Sequence, residues 1–392
     1  MKFWNKNDTA FVIGVVIGVL FAAAAVAAFC GGFSILKESA RYATVLRLIR
    51  SEYIGEADLG EVTDEALYGG VASLDRWSYY MDAETYEWYR EYSENRYQGI
   101  GVTVSKDEET GGFLIDAITK DGPAQMAGLV PGDIIIAVDG TDVTQGDMDV
   151  LRECIRAAFG RNAMVTVLHE DGAEETFAVS CEEVYSSPVE YGMLDGDIGY
   201  VVIGNFRQGA GADSVAAVRE LIEDGARALI FDVRQNPGGQ ISELTELLDF
   251  LLPEGDIFIL TDKKGREEIT VSDAACVELP MAVLVDGDSY SAAEYFAAAL
   301  QEYECAEIVG EPTTGKARSQ VSIVLPDGSA VHISKYSYLT PHGNDLYEAG
   351  GLVPDIEVEL TDEEREQLET GWLEPEDDRQ VQAAVDALAP LL

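Results

Sequence analysis

Pro280-Met-Ala-Val-Leu-Val-Asp-Gly-Asp-Ser-Tyr-Ser-Ala-Ala-Glu-Tyr-Phe-Ala-Ala-Ala-Leu300 is the stretch that decides the fold. Its opening, Pro280 to Asp286, is a short apolar run of the kind that forms a buried strand. Its end, Ala292 to Leu300, is Ala-rich and predicts a helix. Ser291 stands at the turn between them. A serine there exposes its hydroxyl beside the free backbone N–H groups of a helix start. Such groups are suited to hold a developing oxyanion. A second stretch, Gly310-Glu-Pro-Thr-Thr-Gly-Lys-Ala-Arg-Ser-Gln320, follows another strand-like run, Ala306 to Gly310, and places Lys316 25 residues after Ser291.

Working outward, strands and helices alternate from about 190 to 360. Ile198–Ile203 and Ala228–Val233 read as strands, Ala212–Glu223 and Ile241–Leu252 as helices. This rhythm predicts an α/β core on a parallel sheet. Between 97 and 183, Gly-rich turns flank short β-branched runs, with one helix over Met148–Phe159. Residues 37–93 read mainly as helix. The Tyr42–Tyr53 segment has an apolar face at Val45, Leu46, Leu48 and Ile49. Aromatic residues from Trp77 to Tyr89 are dense here. Packing between helices and a subunit contact, such as a homodimer through this helical region, both fit them. After 361, Thr361-Asp-Glu-Glu364 has the spacing of a capping box, and Gln380–Leu388 suggests a last helix. The expected divisions are 1–36, 37–93, 94–183, 184–361 and 362–392.

Ala10 to Phe33 carries 24 residues without a charge. That length spans a bilayer, for which about 20 apolar residues suffice. Ala-x-Ala patterns at Ala22–Ala28 also fit a secretory signal, but the run exceeds a usual signal core, so an uncleaved anchor is expected. Lys2 and Lys6 precede the span. The positive-inside rule then gives a single-pass protein of the cell membrane, N-terminus cytoplasmic and the remainder extracytoplasmic.

The 392 residues are 47% hydrophobic and carry a net charge of −46. Such a surface repels nucleic acid, so no nucleic-acid partner is expected. The five cysteines are scattered without a CxxC spacing, and the three histidines lack metal-ligand spacings, so no zinc site, disulfide framework or cofactor is expected. His332 lies in the strand-like Ala330–Ser334 and His342 in a turn, neither in a triad motif. Lysine replaces histidine as the base where burial and neighbours favour its neutral form. Lys316 is in a suitable turn, and Gln320, four residues on, is placed to orient it. Gly310-x4-Gly-Lys316 nearly spells a phosphate loop, but Ala317 stands where the Mg²⁺-binding hydroxyl belongs and a strand is expected beyond it. Gly287-x-Ser-x-Ser291 misses the final glycine of a hydrolase elbow.

The segment around Gly99-Ile-Gly101, Ala124–Gly128, Pro131-Gly-Asp133 and Val138-Asp-Gly140 resembles a PDZ domain of the bacterial protease type. Such domains add a peptide as an extra strand and hold its C-terminal carboxylate on backbone N–H groups. Gly99, Ile100, Gly101 and Val102 would form that site here. The whole order of motifs resembles the C-terminal processing peptidases, or tail-specific proteases. Ser291, Glu294, Gly310, Glu311, Thr313, Gly315, Lys316 and Gln320 match their pattern in register, as do Asp232–Gly239 and Thr340–Gly343. The resemblance implies a multidomain protein: a membrane helix, a helical segment, a PDZ-like α+β domain and an α/β (ClpP/crotonase-like) serine peptidase domain. It implies Ser291 as nucleophile, Lys316 as general base and Gln320 as its positioner. The oxyanion hole would be the N–H groups of Gly239 and Ala292, with Gly238 if the turn shifts by one. Protein or peptide substrates with exposed C-termini are the implied partners. Asp288, Tyr290, Ala293 and Ala317 depart from the family pattern without removing a catalytic group. A non-catalytic, membrane-tethered PDZ scaffold on a peptidase fold is the alternative, distinguished by tail binding without turnover.

Overall fold

The computed structural model describes residues 33–371 and 373–392. The expected membrane segment therefore lies, but for its last residue, outside the described residues. Among the described residues no helix is long and apolar enough to cross a membrane. Two compact units are present, one up to Arg76 and one from Trp77 onward. The first holds α1 (Phe33–Glu52) and α2 (Leu59–Ala72), the latter started by the Asp58 carboxylate, which accepts from the N–H groups of Gly60 and Glu61.

The second unit opens with β1 (Tyr79–Met81) and α3 (Ala83–Ser93), capped by Asp82. Residues 37–93 are mainly helical, as expected, but Tyr79–Met81 joins a sheet, pairing antiparallel with residues 330–332. The PDZ-like segment follows. Its strands are β2 (Arg96–Gly99), β3 (Val102–Lys106), β4 (Phe113–Ile118), β5 (Ile134–Val138), β6 (Thr141–Asp142), β7 (Asn162–Leu168), β8 (Glu174–Ser180) and β9 (Glu182–Tyr185). Its helices are α4 (Pro123–Ala127) and α5 (Met148–Arg156). Strands β3-β4-β5-β7-β8 form one antiparallel sheet around Ile100, Phe113, Ile135, Leu151 and Val165. Entering and leaving strands β2 and β9 pair with each other and close the domain at its neck.

The remainder comprises β10 (Val189–Leu194), β11 (Ile198–Ile203), α6 (Ala210–Glu223), β12 (Ala228–Asp232), α7 (Ile241–Leu251), β13 (Gly255–Asp262), β14 (Glu267–Ser272), β15 (Met281–Val285), α8 (Ala292–Glu302), β16 (Ala306–Gly310), β17 (Arg318–Val324), β18 (Ala330–Leu339), α9 (Leu346–Ala349), β19 (Ile356–Glu357), α10 (Asp362–Thr370) and α11 (Arg379–Leu388). The central sheet runs β10-β11-β12-β15-β16-β19, parallel from β11 onward. Both faces of its inner strands β12 and β15 are covered, which is why every residue of those strands is buried and nearly all are apolar. Leu229 and Phe231 of β12 point into the core built by α6, α7 and α8. Ala228 and Ile230 face Val381, Ala384 and Leu388 of α11. The expected tail helix thus seals the back of the sheet. A second, antiparallel sheet, β1-β18-β13-β14 with β17 on β18, was not expected. Its β14 alternates the exposed apolar residues Ile269 and Val271 with polar ones and lacks the continuous apolar run of β15.

Candidate active site

Ser291 is half-buried at the N-cap of α8, where β15 delivers the chain after a five-residue turn. Its backbone is left-handed, with φ 61° and ψ −117°. A non-glycine residue there costs about 1–3 kcal/mol and needs surroundings that over-determine it. Two carboxylates supply them. Asp286, buried, accepts from Gln235 N at 3.0 Å, Asp288 N at 3.0 Å and Ser289 Oγ at 3.0 Å. Burial pushes its carboxyl above the usual range, against those same hydrogen bonds. Ser289 in turn donates to Val233 O at 2.8 Å, fastening the turn to the end of β12.

The other carboxylate is Glu294, fully buried one turn into α8. Its Oε2 accepts from Ser291 N at 3.0 Å and Lys316 N at 2.9 Å. Its Oε1 accepts from Thr313 Oγ1 at 2.5 Å and Gly315 N at 2.6 Å. One side chain therefore clamps the serine turn to the lysine turn. Thr314 adds a bond from its hydroxyl to Gly287 O at 2.6 Å. The lysine turn leads into β17, a strand rather than the helix a phosphate loop requires.

Lys316 is half-buried, with Nζ 4.4 Å from the centre of the Trp77 ring and 5.5 Å from that of Tyr290. Those rings lie 5.6 Å apart, so Tyr290, a departure from the family pattern, forms one wall of an aromatic niche around Nζ. Ala317, another departure, is fully buried in the core. His332 stacks on Tyr79 and hydrogen-bonds Ser322 at 2.9 Å. Burial, and then the Lys316 charge, push its imidazole down to about 4, so it is neutral at physiological pH. Gln320 lies on β17, where its Nε2 donates to Arg318 O at 2.8 Å and Ser334 Oγ at 3.1 Å. Tyr338, fully buried, donates to Lys316 O and its phenol also reaches the Ser291 hydroxyl. Burial holds that phenol well above its ordinary value and keeps it a donor.

The turn after β12 meets the serine from the other side. Gly238 packs so tightly that a Cβ on it would lie 2.8 Å from Ala292 N and from Ser291 Cβ. Its N–H is committed to Asn236 Oδ1 at 2.8 Å, and the residue is buried. Gly239 is exposed, in a bridge with Phe206. This favours Gly239 over Gly238 as an oxyanion donor beside Ala292. Behind the turn, the Arg234 side chain is 2% exposed and ion-pairs with Asp232 at 2.5 Å and Asp378 at 2.7 Å, while donating to Gln380 Oε1 at 2.9 Å. The tail thereby braces the same turn.

Sequence reasoning assigned no role to Glu294, although Ser-x-x-Glu at a helix start is a legible signal. For Tyr338 there was none. Of the PDZ residues, Ile100 is buried, Gly101 has φ 81°, and both lie where β2 passes into β3. Gly99, Ile100 and Val102 line a cavity of about 490 Å³ between α3, β2–β3 and α5. Among the described residues no group of three or more His, Cys, Asp or Glu is arranged to hold a metal.

Residues 197–358 match peptidase family S41, and residues 114–168 match the PDZ domain. The carboxy-terminal-processing protease of Bartonella bacilliformis is 28% identical over 335 residues, covering 82% of this chain and 75% of that protein. Carboxy-terminal processing protease CtpB of Bacillus subtilis is 28% identical over 325 residues, covering 80% of this chain and 66% of that protein, just under two thirds. A solved structure assigned to the S41 proteases, from Bacteroides fragilis NCTC 9343, shares the fold: 19% identity and a TM-score of 0.55 over 89% of this chain and 97% of that one. The chain thus carries an S41 peptidase domain and a PDZ domain.

Proposed function

We propose that this serine-type peptidase of family S41 recognises the C-terminal tails of proteins through its PDZ domain and cleaves peptide bonds nearby with a Ser291–Lys316 dyad. Ser291 Oγ attacks the carbonyl carbon while Lys316 Nζ takes its proton. The oxyanion is held by the N–H groups of Gly239 and Ala292. Lys316 then returns the proton to the leaving amine, and water hydrolyses the acyl-enzyme. Gln320 orients the lysine. The observation that carries the reading is Glu294, whose single carboxylate accepts from both Ser291 N and Lys316 N and keeps the two turns in one register. Ala10–Phe33 anchors the protein in the cell membrane with the peptidase outside the cytoplasm. Exposed apolar residues of α1, Val45 and Leu48 among them, support a homodimer through the N-terminal helices.

The test is cleavage of an unstructured protein ending in an apolar tail, followed by intact mass. Wild type cuts, while Ser291→Ala and Lys316→Ala each bind the tail and do not. Turnover by the Ser291→Ala variant at the wild-type rate refutes the assignment. Tail binding by the wild type without any turnover supports the inactive scaffold instead.

A further inference from the structure

The cavity beside the PDZ carboxylate loop has two chemistries. Its floor is apolar, built from Ile100, Val102, Leu151 and Ile155. Such a floor accepts an aliphatic side chain. Its rim carries Arg96, Arg152 and Arg156. The chain has only 26 Lys and Arg against 72 Asp and Glu, so three guanidinium groups around one cavity are a local concentration of positive charge in a strongly acidic protein. Glu91 is the one acidic residue of the lining.

None of the three arginines is committed elsewhere by a strong bond. Arg96 pairs with Glu183 at 2.8 Å and Arg152 with Asp149 at 3.3 Å, all four side chains being exposed. Exposed pairs of this kind are worth about 0–1 kcal/mol and exchange readily for a better partner. Arg156 has no acidic partner among the described residues. Arg152 and Arg156 stand one turn apart on α5, each directly after a floor residue, Leu151 and Ile155. One turn of helix rises ~5.4 Å, and two residues of an extended strand advance ~6.6 Å. The two arginines are therefore spaced like alternate residues of a strand laid along β3.

We propose that this groove selects free C-terminal tails with an aliphatic last residue and an acidic residue two positions before it. Arg152 and Arg156 meet the side-chain and terminal carboxylates. The inference rests on the reading of the groove as a tail-binding site and adds the chemistry of the tail. It also assigns a specificity role to residues outside the Gly99–Val102 loop.

The experiment uses the full chain carrying Ser291→Ala, so that bound peptides persist, and fluorescence anisotropy with three labelled peptides. All end in the same aliphatic residue. One has Glu two positions earlier, one has Gln there, and one is the Glu peptide with an amidated C-terminus. The Glu peptide is expected to bind about tenfold tighter than the Gln peptide, as one charge-assisted hydrogen bond allows. The gap narrows as salt rises, and amidation weakens binding further. Arg152→Gln shrinks the Glu–Gln gap and Arg156→Gln shrinks the effect of amidation, each with an unchanged unfolding temperature. An Arg152→Glu variant prefers a fourth peptide, with Lys two positions before its end, to the Glu peptide. Equal binding of the Glu and Gln peptides to the parent protein overturns the proposal and leaves tail binding standing. Absence of binding by all three removes the tail-binding reading and the proposal with it.

Discussion

Replacing Glu294 with Gln changes one buried atom and tests whether this residue holds the serine and lysine turns together. The carboxylate presents two oxygens, each accepting two hydrogen bonds: from Thr313 Oγ1 and Gly315 N on one, from Ser291 N and Lys316 N on the other. Glutamine keeps one such oxygen. Its amide nitrogen must face the other pair, of which only the Thr313 hydroxyl is able to accept. The less costly placement puts the nitrogen toward Thr313 and Gly315, which loses the Gly315 bond and weakens the remainder by removing the charge. With charge-assisted bonds worth ~1.5–3 kcal/mol each, the loss is about 3–5 kcal/mol. At roughly 2–4 °C per kcal/mol, Tm falls by about 6 °C or more. A displacement near 1 Å between Ser291 and Lys316 costs ~10²-fold in kcat. Thermal unfolding and cleavage of a tailed substrate are measured together, with Thr313→Val as a comparison that removes one donor to Glu294 and the acceptor of Leu352 N, and costs about 1–3 kcal/mol. A Glu294→Gln protein with wild-type Tm and kcat refutes the clamp. Lost kcat at unchanged Tm confines its role to positioning.

Other consequences are equally direct. In Gly239→Ala the new Cβ lies 2.0 Å from Phe206 O, so the turn must move; kcat is expected to fall ~10²-fold or more in steady-state assays, and retained activity would refute the proposal of Gly239 as an oxyanion donor. Asp378→Ala strands the buried Arg234 between fewer charges and should lower stability by ~3–5 kcal/mol in denaturant titrations, whereas a change under 1 kcal/mol would show that the tail does not brace the turn. Folded His332 titrates at about 4 against an ordinary 6.5, so between these values the unfolded chain binds a proton that the folded chain refuses. Its contribution is complete above pH 6.5 and is lost as pH falls toward 4. Denaturation of wild type and His332→Gln across that range should show a shallower decline for the variant, and parallel curves would assign the acid sensitivity elsewhere.

The order of the parts and the local setting of each chemical group are legible in the residues alone. Ser291 falls at the strand-to-helix junction that the apolar run and the Ala-rich run define, and β16 occupies Ala306–Gly310 as its pattern requires. These are short-range facts, set by propensity, periodicity and caps within a few residues. The capping box at Thr361 with Glu364 belongs with them. Tertiary structure alone decided what meets the serine. Glu294 reaches residues 19 to 22 positions away, and Tyr338 reaches Lys316 from 22 positions away. Trp77 sits over the lysine from the far end of the unit, and Asp378 comes from the last helix to Arg234. The antiparallel sheet that carries Tyr338 and His332 pairs strands as distant as β1 and β18. No local pattern encodes such pairings, because a strand's partner and a buried charge's counter-charge are selected by the shape and burial of the whole fold.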